Sequence, residues 1–168
     1  MSIPDTVQVQ FMPLAEAYLD AVMETELEAY PESWSRNMFL EEIRNNRSYF
    51  YVMLLEKELA GYGGFWLVLD EAHITSVTVV KRFRGRGLGR RLTLYLLDVA
   101  RRAGARIATL EVRESNREAQ NLYETIGFRQ IARREGYYPK SGEDALVMLL
   151  ELDQPAGDGA DASGPTRR

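Results

Sequence analysis

The chain has 168 residues, 45% of them hydrophobic and 27% charged, with a formal net charge of −4. That length fits one domain with a proper core, and the acidic balance leaves no global basic footprint for nucleic acid. With no cysteine and a single histidine, His73, disulfides, thiolate metal sites and a cysteine nucleophile are excluded, and a histidine-rich zinc site cannot be built.

In chain order, residues 7–12 read as a first strand. Pro13 opens a helix to about residue 30, with Leu14, Tyr18 and Val22 at helical spacing, and Pro31 stops it. Ser35 is a candidate cap for a second helix to about residue 45. Residues 49–55 and 59–69 read as a hairpin about the polar turn Glu56-Lys57-Glu58, with Gly61, Gly63 and Gly64 weakening or bulging the returning strand. A fourth strand covers 72–80, and His73 on it reads as structural. Leu88, Leu92, Tyr95, Leu96, Val99 and Ala103 form one helical face, with Gly104 as a C-terminal cap. A fifth strand covers 105–113. Ser115-Asn116-Arg117-Glu118 has capping-box spacing for a short helix to Ile126. Two last strands, 128–134 and 145–152, flank a loop at 135–144. The pattern predicts one domain over 1–152, a mixed and mostly antiparallel α/β sheet of about seven strands with helices on both faces. The Pro-, Gly-, Asp- and Ala-rich stretch 153–168 is expected to be a disordered tail. No stretch approaches the roughly 20 apolar residues of a membrane helix. The start, Met1-Ser2-Ile3-Pro4-Asp5, lacks the basic end and apolar core of a signal peptide, so a cytoplasmic protein is expected. Nothing points to an oligomer, and a monomer is expected.

The run Arg84-Gly85-Arg86-Gly87-Leu88-Gly89-Arg90 lies between the fourth strand and the following helix. Glycines let a backbone turn tightly and approach a ligand, and a helix N-terminus offers unpaired N–H groups and a positive dipole end. Together they suit a phosphate. A Walker loop needs Gly-Lys-Ser or Gly-Lys-Thr, but Gly89 is followed by Arg90 and Arg91. The dinucleotide fingerprint would need glycine at position 90. What remains is R-x-x-G-x-G, carried by Arg84, Gly87 and Gly89, which resembles the acetyl-coenzyme A pyrophosphate loop of the GNAT family of N-acetyltransferases. The alternative is a glycine-rich turn with solvated arginines. Lys81, Arg82, Arg84, Arg86, Arg90 and Arg91 fall within eleven positions of an acidic chain, which favours a small polyanion over a long one.

Acetyl transfer to an amine needs a base for the ammonium, a donor for the oxyanion and a proton for the leaving thiolate. Strand alternation puts Ala108, Leu110 and Val112 on one face and Thr109, Glu111 and Arg113 on the other. Partial burial would raise the Glu111 pKa and improve it as a base; a salt bridge to Arg113 or another arginine is the structural alternative. Tyr123 shares a helical face with Ala119, Leu122 and Ile126, so its most economical reading from spacing is a core aromatic. Ser115 and Asn116 are ordinary helix caps.

The stretch Leu110-Glu111-Val112-Arg113-Glu114-Ser115-Asn116, with Ala119, Leu122-Tyr123-Glu124, Gly127-Phe128, Tyr137-Tyr138-Pro139 and Glu143-Asp144-Ala145, resembles the RimI branch of GNAT enzymes over residues 72–150. The resemblance implies the GNAT fold and direct transfer, in a ternary complex, from acetyl-coenzyme A to a protein N-terminus. The implied acceptor is the alanine end of the eighteenth small-subunit ribosomal protein. It implies Glu111 as general base and Tyr123 as general acid. Val77, Thr78 and Val79 are implied as the strand beside the pantetheine arm. Arg84, Gly85, Arg86, Gly87, Leu88, Gly89 and Arg90 would form the pyrophosphate loop, Asn116 a cofactor contact, and Tyr137 and Tyr138 part of a cover over the peptide. Two departures stand out: Lys81 replaces a common proline, and Pro31-Glu32-Ser33-Trp34-Ser35 is two residues longer than the usual Pro-Trp-Ser. The competing readings are a broader-specificity N-terminal acetylase, a lysine or small-molecule amine acceptor on the same fold, and an RNA- or ribosome-binding module using the arginines.

Overall fold

The computed structural model describes residues 8–153. The stretch 154–168, where a disordered tail is expected, and residues 1–7 lie outside the described residues. Seven strands form one sheet: β1 (Val9–Pro13), β2 (Ser48–Leu55), β3 (Glu58–Val68), β4 (Glu71–Val79), β5 (Ile107–Arg113), β6 (Arg129–Arg134) and β7 (Ala145–Glu151). Their spatial order is β1-β2-β3-β4-β5-β7-β6. Every pairing is antiparallel except β4 with β5. Among the described residues four α-helices accompany the sheet: α1 (Leu19–Ala29), α2 (Arg36–Arg44), α3 (Leu88–Arg102) and α4 (Arg117–Ile126). The expected α/β architecture is therefore present, and among the described residues no helix is long and apolar enough to cross a membrane.

Alternation along β2 builds two cores. Phe50, Val52 and Leu54 meet Leu19, Val22 and Phe39 from α1 and α2, with Tyr62 of β3. Met53 and Leu55 turn the other way, into a cluster with Leu88, Leu92 and Leu96 of α3, Leu110 of β5, Met148 of β7 and Tyr123 of α4. Helices therefore cover both faces.

Local chemistry sets the boundaries. Pro13 closes β1 opposite Tyr51 rather than opening a helix; β1 is a sheet edge, where a missing N–H is tolerated. The chain then makes a 3-10 turn at Glu16–Tyr18 before α1. Tyr30 is extended, at φ −130° and ψ 132°, as the residue before a proline should be. Ser35 caps α2, accepting from the Met38 amide at 3.2 Å. At α4 the cap is Asn116, which accepts from the Ala119 amide at 3.1 Å, one residue past the Ser115 that the capping-box spacing suggested. Gly127 ends α4 at φ 121°.

The glycines of β3 do not shorten it; it spans 11 residues. A register shift falls between Gly64 and Phe65, as the bulge reading anticipated. A Cβ on Gly63 would lie 2.5 Å from the Ser76 carbonyl oxygen and 3.2 Å from Leu96, so the bare backbone lets β4 lie close. Gly63→Ala should cost about 1–3 kcal/mol, the usual penalty of overpacking, read by urea unfolding at constant m-value. An unchanged midpoint would mean that β4 shifts freely.

Candidate active site

β4 and β5 pair only over Glu71↔Ile107, Ala72↔Ala108 and His73↔Thr109. Beyond His73 they part, while β4 continues to Val79 along β3 and β5 continues to Arg113 along β7. Two cavities occupy the opening and meet along Tyr30, Val77, Asn116, Ala119 and Tyr123, which line both.

The first cavity lies at the N-terminus of α3. Val77, Thr78 and Val79 form one side, Arg84, Gly85, Gly87, Leu88, Gly89 and Arg90 the floor, and Asn116, Leu122 and Tyr123 the other side. Gly85 and Gly87 take φ 77° and 81°, a left-handed conformation costly for any residue with a Cβ. Gly87 is the cap position of α3, with no side chain over the first helical N–H groups. Those donors and the helix dipole suit a phosphate group. Arg84 donates from Nε to the Val79 carbonyl at 3.0 Å, and Arg90 to the Thr125 hydroxyl at 3.1 Å, which fixes the loop to β4 and α4. Arg86 instead leans on the Phe83 ring at 5.8 Å and does not line the cavity. The Thr78 side chain is buried, its hydroxyl 2.7 Å from that of Tyr30.

The second cavity is lined by Glu111, Arg113, Glu26, Glu32, Tyr138 and the shared residues. Glu111 Oε1 lies 2.8 Å from His73 Nε2. The parallel register explains this contact: His73 sits opposite Thr109, and Glu111 follows two residues on, along the same face. The expected effect of burial on Glu111 is overturned. Its pKa lies below the usual carboxylate value because the hydrogen bond to His73 outweighs desolvation. The same bond holds the His73 pKa above the ordinary imidazole value. Arg113 is not the partner of Glu111; it pairs with Glu32 at 2.6 Å and Glu143 at 3.3 Å.

Tyr123 is 8% exposed, edge-on to Phe128 at 5.7 Å between ring centroids. Burial pushes its phenol well above the ordinary value, so it stays protonated at any working pH. Glu26 is buried, its oxygens accepting from the Tyr62 hydroxyl at 2.7 Å and the Trp34 amide at 2.9 Å. Desolvation raises its pKa. It therefore ties the loop after α1 to β3. Tyr138 lies under the Arg113 guanidinium at 3.9 Å, and burial pushes its phenol up to about 12. Tyr137 is 43% exposed and lines neither cavity.

Glu111, Tyr123, Asn116 and Tyr138 thus converge, as do the loop and Val77, Thr78 and Val79, whereas Arg86 and Tyr137 stand apart. Sequence reasoning missed His73 as the partner of Glu111. It also missed Glu26, on α1, and Tyr30 and Glu32, whose place in the second cavity depends on the path of the loop after α1.

Residues 19–128 match the model of the acetyltransferase (GNAT) family. A Bacillus subtilis (strain 168) protein, provisionally named a [ribosomal protein bS18]-alanine N-acetyltransferase, is 36% identical over 138 residues, covering 81% of this chain and 91% of the relative. The [ribosomal protein bS18]-alanine N-acetyltransferase of Salmonella typhimurium (strain LT2) is 33% identical over 141 residues, 83% of this chain and 95% of the relative. The crystal structure of the ribosomal-protein-S18-alanine N-acetyltransferase from Escherichia coli superposes with a TM-score of 0.80 at 30% identity, covering 92% of this chain and all of that one.

The His73–Glu111 pair makes stability depend on pH in a defined window. His73, with its raised pKa, contributes fully below its unfolded value near 6.5 and loses that contribution as pH rises through the folded value. Glu111, with its lowered pKa, contributes above its unfolded value near 4.5 and loses that as pH falls through the folded value. The stability gap between the native chain and His73→Ala should be widest between about pH 5 and 6.5 and narrow on both sides. Chemical unfolding across pH measures it; a constant gap would contradict the pairing.

Proposed function

This chain belongs to the GNAT family of acetyltransferases and to its RimI branch, and we propose that its acceptor is the α-amino group of a protein N-terminus, the alanine end of ribosomal protein bS18. It is an acetyl-coenzyme A-dependent N-acetyltransferase. The acceptor assignment is supported by the names of relatives that this chain matches over most of their length. The observation that carries the mechanism is that Glu111 and Tyr123 line one cavity and that Tyr123 also lines the glycine-loop cavity.

The second substrate, acetyl-coenzyme A, supplies a thioester carbonyl and a sulfur leaving group. The glycine loop and the first N–H groups of α3 would hold its pyrophosphate, with Arg84, Gly85, Gly87, Leu88, Gly89 and Arg90 shaping the floor. The parted edge of β4 at Val77, Thr78 and Val79 would hold the pantetheine arm, with Asn116 opposite. An incoming amine arrives largely as ammonium, which has no lone pair. Glu111, kept charged by His73, would take one proton from it through a water molecule. The nitrogen then attacks the thioester carbonyl, the C–N bond forms and the C–S bond breaks. Tyr123 would deliver its phenolic proton to the departing sulfur, and the second proton that the nitrogen sheds on forming the amide would restore the phenol through water. No acyl-enzyme is needed, which suits a chain without cysteine. Tyr138 would flank the acceptor, with Tyr137 outside it on the same loop. A ribosomal-protein acceptor implies a cytoplasmic site of action.

Glu111→Gln should lower kcat/KM by about 100-fold or more, the usual worth of a positioned base, and shift the remaining activity to higher pH. Tyr123→Phe should lower kcat by about 100-fold with little change in peptide KM. Steady-state kinetics across pH test both; an unchanged pH–rate profile would remove Glu111 from the base role. The acceptor itself is tested by intact mass on a peptide panel with acetyl-coenzyme A. One acetyl group on the free alanine end of bS18 is expected. Acetylation of an N-terminally blocked lysine peptide alone would overturn the assignment.

A further inference from the structure

We propose that Arg113 is a positioning residue that closes the acceptor cavity into a passage for a chain end, by tying the loop after α1 to the loop before β7. The inference rests on the N-terminal acceptor reading above. Arg113 is the last residue of β5. Its Nη2 meets both oxygens of Glu32, at 2.6 and 2.9 Å, across 81 positions of sequence. Its Nη1 reaches Glu143 at 3.3 Å and the Ser141 hydroxyl at 3.2 Å. The face of the guanidinium covers the Tyr138 ring at 3.9 Å. The side chains of Arg113, Glu32 and Glu143 are only 20%, 20% and 21% exposed, so solvent screens these pairs less than surface ones.

A second tie joins the same two loops: Lys140 Nζ donates to the Pro31 carbonyl at 2.7 Å. Glu143 is itself anchored, accepting from the Ser115 amide at 2.7 Å. Glu32, Arg113 and Tyr138 all line the acceptor cavity, so the tie stands at its rim. Two consequences follow. A rim closed by a bridge admits a single strand of polypeptide, whereas an internal lysine brings flanking chain on both sides. And with Glu32 held by Arg113, and Glu26 by the Tyr62 hydroxyl and the Trp34 amide, Glu111 is left as the carboxylate that meets the amine. A planar five-donor fork suits this position; lysine keeps the charge but cannot hold both oxygens of Glu32 and still reach Glu143 and Tyr138.

The test is steady-state acetylation of an alanine-starting bS18 peptide and of an N-terminally blocked lysine peptide by the native chain and by R113M, R113K, E32Q and E143Q. For R113M, peptide KM should rise about tenfold or more while kcat changes less, and the lysine-to-alanine ratio of kcat/KM should rise about tenfold. E32Q should move both quantities the same way, and R113K should fall between R113M and the native chain. A loss confined to kcat with the ratio unchanged would overturn the proposal. If R113M does not fold, as judged by thermal melting, E32Q and E143Q carry the test, and native KM and ratio in both would overturn it. Failure of the native chain to modify any free N-terminus is a separate outcome that overturns the acceptor reading and this inference with it.

Discussion

The parting of β4 and β5 is the constraint on which the site depends. They are the one parallel pair in the sheet, and they share three residue pairs before separating. Each keeps its other neighbour, β3 or β7, along its full length, so the opening costs neither strand its place. Gly61 and Gly63 help hold β4 in position, since a Cβ on either would come within 2.6 Å of a β4 carbonyl oxygen. The opening brings the glycine loop, the end of β5 and the buried face of α4 to a common space. A regular parallel ladder over the same residues would close both cavities.

Within that space the polar groups are arranged by unlike environments. The Glu111 carboxylate is kept ionised chiefly by its hydrogen bond to His73, with Arg134 adding to it, whereas the Tyr123 phenol is kept protonated chiefly by burial. Pushing two titratable groups in opposite senses is how one fold can hold an acceptor and a donor of protons at the same pH. Around them, Glu26 and Glu32 are each committed elsewhere, one to Tyr62 and the Trp34 amide, the other to Arg113. These bonds fix the loop after α1, so the residues that set the cavity's electrostatics also set its shape.

Much of this was legible in the chain itself. The glycine loop announced its backbone requirement, and Gly85 and Gly87 do adopt the left-handed conformation that makes glycine necessary. Hydrophobic alternation located β5 and placed Glu111 on the face opposite Leu110 and Val112. What alternation could not supply was register. Whether residue 73 stands beside residue 111 depends on how two strands whose partners lie 36 positions apart align, and without that the direction of the Glu111 pKa shift is not legible. The Arg113–Glu32 contact spans 81 positions and joins a strand end to a loop, so no local pattern encodes it. The cap of α4 shows the smaller limit: Ser115 and Asn116 are both good caps, and only backbone geometry selects Asn116.

On the mechanism proposed above, acetyl transfer takes place where the two cavities meet, between Glu111 and Tyr123. The most direct measurement is a crystal structure of the chain with a bisubstrate compound that joins the coenzyme A sulfur, through an acetyl bridge, to the amine of an alanine-starting bS18 peptide. The expected result is the pyrophosphate on the Gly85–Gly89 loop, the bridge in the opening between β4 and β5 with its sulfur within hydrogen-bond reach of the Tyr123 hydroxyl, and the peptide nitrogen facing Glu111 directly or through one water. A bridge lying outside that opening, or a peptide nitrogen turned away from Glu111, would contradict it.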